Sequence, residues 1–253
     1  MPTRNQYAAG GHDRIESNIP GQVATALARA LDRTLDRALD RAPLVEHRWP
    51  GSRMRYIADK AHLYSDGDPR SHVYKVMSGA VCLYRMLEDG RRQVIDFAFA
   101  GDLIGLGSGR LETCNAQALG ETQLSGLPIN TLMAAAKSDT RIALGLYEAL
   151  SRELVATREH LMCVGHRGAT ERVATFLVIL ARRNEMRGQA SDVVTLPMSR
   201  TDIADFLGTT LETVSRTLTK LRVQGLIDIE QITTVRLVRK SKLVALAEGR
   251  ERV

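Results

Sequence analysis

The stretch MSRTDIADFLGTTLETVSRTLTKL, residues 198–221, constrains this chain more tightly than any other segment. It reads as two helices around a very short turn. Ile203, Leu207, Val214 and Leu218 supply a shared apolar core for the pair, and Ala204 is small where the second helix must approach. Gly208 stands at the sharpest bend, where glycine tolerates a left-handed backbone. Thr210 suits the N-cap of the second helix, since its hydroxyl can accept from a free N–H in the first turn. In that second helix Leu211, Val214, Leu218 and Leu221 recur at helical spacing. Glu212, Ser215, Arg216, Thr219 and Lys220 fall within about 140° of one another on the other side.

The neighbouring segments complete an order of parts. ATERVATFLVILARRNEMRG, residues 169–188, has helical periodicity and stops at a glycine. LIDIEQITTVRLV alternates enough for two short strands. Helix, helix, turn, helix and hairpin is the order of a winged helix-turn-helix. Residues 50–130 have a different character, rich in Val, Ile, Tyr and Phe and broken by turn signals. Asp89-Gly90 between VCLYRM and QVIDFAF predicts a hairpin, and Gly79, Gly101 and Gly120 mark further breaks. Many short strands at this spacing predict a small antiparallel barrel or roll. Between the two regions, residues 131–164 return to a helical period. Ala143, Tyr147, Leu150, Leu154, Thr157, Leu161 and Val164 form a 3-4 stripe, which fits a coiled-coil dimer seam or a long helix packed on its own domain. Near the start, ALARALDRTLDRALDRAP repeats leucine every four residues with Arg/Asp pairs at i,i+3. It reads as a docking helix or as a surface helix of its own domain.

The predicted organisation is therefore α+β. It comprises an N-terminal tail and helix (1–45), an antiparallel β-roll (46–135), a long helix (136–165) and a winged helix-turn-helix (166–253).

Charge is where composition matters. The 253-residue chain carries a net charge of +6, and residues 166–253 hold 15 basic and 10 acidic side chains, five of those six excess charges. A basic C-terminal part favours a nucleic-acid partner, although an ordinary solvated surface accounts for it equally well. The helix-turn-helix tips that balance, because its second helix inserts its first turns into the major groove of double-stranded DNA. Arginine bonds guanine O6 and N7 in bidentate fashion, and a carboxylate accepts from cytosine N4. Arg216 and Glu212 are the candidates for base readout, with Ser215 beside them and Leu211 at the edge of the apolar stripe, either in the core or against a thymine methyl. Thr210, Thr213 and Lys220 suit phosphate contacts, which set register without reading sequence. Ser199, at the start of the first helix, joins that set. Two structural alternatives compete: Thr209 and Glu212 match a capping box, and Glu212 and Arg216 are spaced for an i,i+4 ion pair.

LPMSRTDIADFLGTTLETVSRTLTKLRVQGLI resembles the helix-turn-helix of the CRP/FNR family of transcription regulators. GDPRSHVYKVMSGAVCLYRMLEDGRRQVIDFAFAGDLIGL resembles that family's β-roll, and the likeness covers roughly residues 50–245. Ser215 between Glu212 and Arg216, with Leu211 where the cyclic-AMP receptors carry arginine, is similar to the FNR and FixK members. The resemblance implies a TTGA-type palindrome, with Arg216 on guanine, Glu212 on the opposing cytosine or adenine, and Ser215 near a thymine. It further implies a homodimer along the 143–164 stripe and an activator that touches RNA polymerase. Its targets would lie in microaerobic or anaerobic respiration, denitrification or nitrogen fixation.

The same resemblance limits what the roll can sense. Cyclic-nucleotide binders of the family carry a glutamate after the Gly101–Gly105 turn and a later Arg-Ser or Arg-Thr pair. Here Leu106 and Cys114-Asn115 stand in those places, so no cyclic-AMP binding is expected. The family's oxygen sensors use an N-terminal cysteine cluster, and the chain's three cysteines are Cys82, Cys114 and Cys163. No cofactor or metal is expected. The alternative is a ligand-gated sensor of the same family, using haem on one of His12, His47, His62, His72, His160 or His166, or a redox thiol at Cys114 or Cys163. No Walker, G-x-S-x-G or H-E-x-x-H motif occurs, so an enzyme is not expected. No run approaches a membrane span and no signal peptide is visible, so the expected location is the cytoplasm.

Overall fold

The computed structural model describes residues 51–166 and 168–250. The leucine-repeat segment of residues 26–43, with His12 and His47, lies outside the described residues.

The first part is an antiparallel sheet of six strands: β1 (Arg53–Ile57), β2 (His62–Tyr64), β3 (His72–Met86), β4 (Arg92–Phe99), β5 (Leu103–Ile104) and β6 (Asn115–Pro128). The order is β1-β6-β3-β4, with β2 also on β6 and β5 also on β3. The expected hairpin is present, and its connection is wider than the Asp-Gly pair alone. Residues 87–91 turn the chain, the Leu87 N–H donates to the Arg91 carbonyl at 2.8 Å, and Gly90 takes φ +81°.

The strands are longer than the predicted set of short ones. Gly79 and Gly120 lie inside β3 and β6, both at φ +81°. The β3–β6 register shifts around Ser78. A Cβ on Gly79 would sit 2.6 Å from the Glu121 carbonyl oxygen. These glycines bend two continuous strands into the roll instead of ending them. Val76, Val81 and Leu124 are enclosed at its centre.

The helical run after the roll divides at Asp139, whose backbone is extended (φ −129°, ψ 107°). Helix α1 spans Ile129–Ser138 and α2 spans Thr140–His166. The Asp139 carboxylate accepts from the Arg141 backbone N–H at 2.9 Å.

The C-terminal part contains α3 (Ala169–Met186), α4 (Arg200–Leu207), α5 (Leu211–Val223) and α6 (Lys240–Ala247), with a sheet β7 (Val193–Thr195), β9 (Thr234–Arg236), β8 (Asp228–Gln231) in that order. Strand β7 and helix α6 were not anticipated. Each is too short to show a period, and each is stabilised by neighbours distant in sequence: β7 pairs with β9, and Leu243, Leu246 and Ala247 of α6 are buried. Helix α3 is enclosed on more than one face, since positions 173–178, 180 and 181 are all buried.

The core does not stop where the roll ends. Cys82, Val94 and Phe97 of the roll belong to the same apolar cluster as Leu177, Ile203, Leu207, Val214 and Leu221. Phe97 lies 6.2 Å from Phe176 and 5.3 Å from Phe206 between ring centroids, and His160 of α2 stacks on Phe206 at 4.1 Å.

Candidate nucleic-acid interface

Helix α4 starts at a reciprocal cap. The Asp202 backbone N–H donates to Ser199 Oγ at 3.1 Å, and the Ser199 N–H donates to Asp202 Oδ2 at 2.8 Å. The helix ends at Gly208 in the left-handed conformation (φ 59°, ψ 48°), whose N–H donates to the Ala204 carbonyl. Two orphan carbonyls are met from outside: Arg172 of α3 donates to the Leu207 and Gly208 oxygens at 2.9 and 3.2 Å. No spacing rule signals Arg172, which is 35 positions from Leu207.

Helix α5 starts two residues later. Thr210 is its N-cap, and the Thr213 N–H donates to the Thr210 hydroxyl at 3.2 Å. The predicted cap therefore forms, and the Thr209–Glu212 capping box does not. Val214, Thr217, Leu218 and Leu221 are buried against α4 and α3. Each aliphatic side chain so covered contributes roughly 1.5–3 kcal/mol. The helix is thus held by one face.

The opposite face is open. Leu211, Glu212, Ser215, Arg216, Thr219 and Lys220 are exposed, and Thr213 is half-buried. No ion pair joins Glu212 to Arg216 among the described residues, so the i,i+4 alternative is not realised. Leu211 is 42% exposed at the rim, outside the buried core. The hydroxyls are partly committed: Thr210 and Thr213 oxygens lie 2.9 Å apart, and Thr219 donates to the Ser215 carbonyl at 3.0 Å. Ser199 sits at the other helix's cap, with its hydroxyl 2.7 Å from Asp202 Oδ2. Thr210, Thr213, Glu212, Ser215 and Arg216 thus share the first turns of one helix, and Ser199 does not. Two further cations stand beside this face without a local sequence signal. Arg222 extends the exposed basic end of α5, and Arg200 of α4 reaches the turn between β8 and β9 by donating to the Ile232 carbonyl at 3.4 Å.

The stripe on α2 also faces outward. Tyr147 is 67% exposed, Leu154 50% and Leu161 71%. Ala143, Leu150 and Thr157 are exposed as well, and Val164 is half-buried. The start of the helix is fastened to the roll through Ile142 and Leu146, which pack on Val73, Leu127 and Leu132.

The roll's own candidate positions are occupied by its fold. Leu106 packs against the cluster of Val73, Leu127 and Leu132. The Cys114 thiol is hydrogen-bonded to Tyr64, and burial pushes its pKa up. Asn115 accepts from the Asp66 N–H at 3.2 Å. Burial pushes the Cys82 thiol up to about 12, and Cys163 is buried. High thiol pKa values oppose thiolate chemistry at Cys82 and Cys114. His62 bonds the Tyr84 hydroxyl at 2.9 Å and His72 the Ser71 hydroxyl at 2.8 Å. Among the described residues no three His, Cys, Asp or Glu side chains converge as a metal site, and no helix is long and apolar enough to cross a membrane.

Comparison with known proteins agrees with this geometry. Residues 171–246 match the Crp-like helix-turn-helix domain, and residues 54–139 match the cyclic nucleotide-binding domain. The chain is 42% identical over 189 residues to the nitrogen fixation regulation protein FixK of Azorhizobium caulinodans, covering 74% of this chain and 76% of that protein. It is 33% identical to the transcriptional activator protein anr of Pseudomonas aeruginosa, covering 78% and 81%. Among solved structures, FixK2 from Bradyrhizobium japonicum superposes with a TM-score of 0.73 at 35% identity, covering 78% of this chain and 98% of that one.

Proposed function

The chain belongs to the CRP/FNR family of DNA-binding transcription regulators, and from that premise we propose that it binds TTGA-type palindromes as a homodimer and activates transcription by touching RNA polymerase. The observation that carries this reading is helix α5, which is buried on one face and presents Glu212, Ser215 and Arg216 exposed on the other. Arg216 is assigned to guanine and Glu212 to the opposing cytosine or adenine, with Ser215 and Leu211 beside a thymine. Thr210, Thr213, Lys220 and Ser199 are assigned to phosphates. The exposed apolar stripe of α2 supports the dimer, because a two-fold pair of recognition helices matches a palindrome. The FixK relative, a nitrogen fixation regulation protein, supports targets in nitrogen fixation, and the anr relative, a transcriptional activator, supports activation.

The roll carries the cyclic nucleotide-binding architecture, and the positions weighed for ligand contact hold Leu106, Cys114 and Asn115. Leu106, Cys114 and Asn115 offer no cation to a phosphodiester and are engaged within the fold. We assign the roll a structural role, with no cofactor, and assign the protein no enzymatic activity and a cytoplasmic location.

The test is binding to a DNA duplex carrying TTGA-N6-TCAA. Arg216→Ala should weaken binding by about 1–3 kcal/mol and relax preference at one base pair. Equal loss on unrelated DNA would refute the base assignment.

A further inference from the structure

We propose that an ionic latch centred on Arg92 holds the DNA-reading unit against the β-roll in a reading-competent orientation, making Arg92 a positioning residue for two-site DNA binding. The inference rests on the palindrome reading above and adds what fixes the geometry of each half. Arg92 leaves strand β4 and donates through Nη1 to Asp202 Oδ1, with Asp205 Oδ2 at 3.7 Å. Its Nη2 donates to Cys82 Sγ at 3.2 Å, and the guanidinium carbon lies 4.2 Å from the Tyr84 ring centre. Next along the strand, Gln93 Nε2 donates to the Asp205 carbonyl at 2.7 Å. A second fastening joins α3 to the roll: Arg183 donates to the Phe97 carbonyl at 3.0 Å, and Arg187 to Asp102 Oδ1 at 3.0 Å.

The partners on α4 give the latch its consequence. Asp202 is the reciprocal partner of the Ser199 cap of α4, and α4 shares its core with α5 through Ile203, Leu207, Val214 and Leu218. A clamp on Asp202 is therefore a clamp on the recognition helix. The apolar contact of Phe97 with Phe176 and Phe206 is non-directional and tolerates sliding, whereas charge-assisted hydrogen bonds fix register. Register matters because the two recognition helices of a dimer must enter half-sites about 34–36 Å apart. The docked arrangement leaves Glu212, Ser215 and Arg216 exposed, so it holds the reading face clear.

The experiment compares wild type and Arg92→Gln on the palindrome, on a duplex with one half-site, and on palindromes with the spacer one base pair shorter or longer. Two rigidly linked modules gain about 10²–10⁴ over one. Arg92→Gln should lose about tenfold or more of the palindrome-over-half-site ratio and flatten the spacer preference, with half-site affinity kept. Arg92→Lys should restore part of the ratio. Gln93→Ala, which leaves the ion pairs in place, should move it in the same direction. Equal loss on both duplexes, an unchanged ratio, or tighter palindrome binding would overturn the latch. Spin labels at Glu88 and Val223 give a readout without DNA. The distance distribution should be narrow in wild type and broader in Arg92→Gln. An unbroadened distribution overturns the latch, whereas broadening without any palindrome preference in wild type overturns the DNA-site reading alone.

Discussion

At the scale of single residues, Gly208 decides whether the two reading helices can meet. Its backbone is left-handed at φ 59°, and a Cβ there would lie 3.4 Å from Val164 Cγ1. The space is tight yet passable, so the conformation dominates the cost. Gly208→Ala should destabilise the protein by about 1–2 kcal/mol, read as a lowered midpoint in denaturant with an unchanged slope. This glycine was legible in the sequence, because a turn between two apolar-periodic helices demands a residue that accepts positive φ. Arg172, which covers the carbonyls at the same turn, was not legible, since a contact 35 residues away leaves no local pattern. The same distinction separates Thr210, found by its place before the helix, from Arg92, whose partners lie 110 and 113 positions on.

At the scale of elements, α2 and α5 present opposite cases of amphipathicity. Helix α5 buries Val214, Leu218 and Leu221 within its own chain and leaves its polar side out. Helix α2 leaves the apolar side out, with Tyr147, Leu150, Leu154 and Leu161 all exposed. An apolar stripe of this length over several turns is the pattern of a surface that meets another. Leu154→Lys places a charge in the middle of it. The variant should sediment as a monomer, and its palindrome affinity should fall toward that of one half-site, a loss of about 10²–10⁴. Wild-type sedimentation as a monomer at the same concentration would sink the dimer reading. For β3 and β6, alternation was visible in the sequence and continuity was not. A glycine that bends a strand and one that ends it look alike until the partner strand is known.

At the scale of the whole molecule, the roll and the helix-turn-helix share a core and an ionic junction, and both respond to pH. Burial pushes Asp202 up, but hydrogen bonds from Ser199 and Arg92 outweigh it and hold the carboxyl below its ordinary value of 3.8. A carboxyl lowered in the folded state stabilises it above the unfolded value and loses that contribution as pH falls through the folded one. Burial holds His160 below its ordinary 6.5, so its contribution is present above that value and declines as pH drops beneath it. Neighbouring Asp205 is raised by burial and works against Asp202. The His160 contribution to the thermal midpoint declines from pH 6.5 downward and that of Asp202 below 3.8, while Asp96, Glu112 and Glu153, raised by burial like Asp205, oppose the acid-side decline. His160→Phe, which keeps a ring against Phe206, should remove the upper decline. An unaltered profile in that variant would refute the assignment to His160.

The sequence by itself determined the parts and their order. Periods of two and 3.6, cap residues and turn glycines act between near neighbours, so the roll, the long helix, the reading helix and its polar face were all written in short stretches. The tertiary structure decided what those parts do to one another. It decided that Glu212 pairs with no other described residue, that β7 and α6 form, that Leu106 and Cys114 are absorbed into the roll, and that Arg92 meets Asp202. Each of these depends on which distant side chains share the same desolvated space, and one-dimensional periodicity carries no information about that.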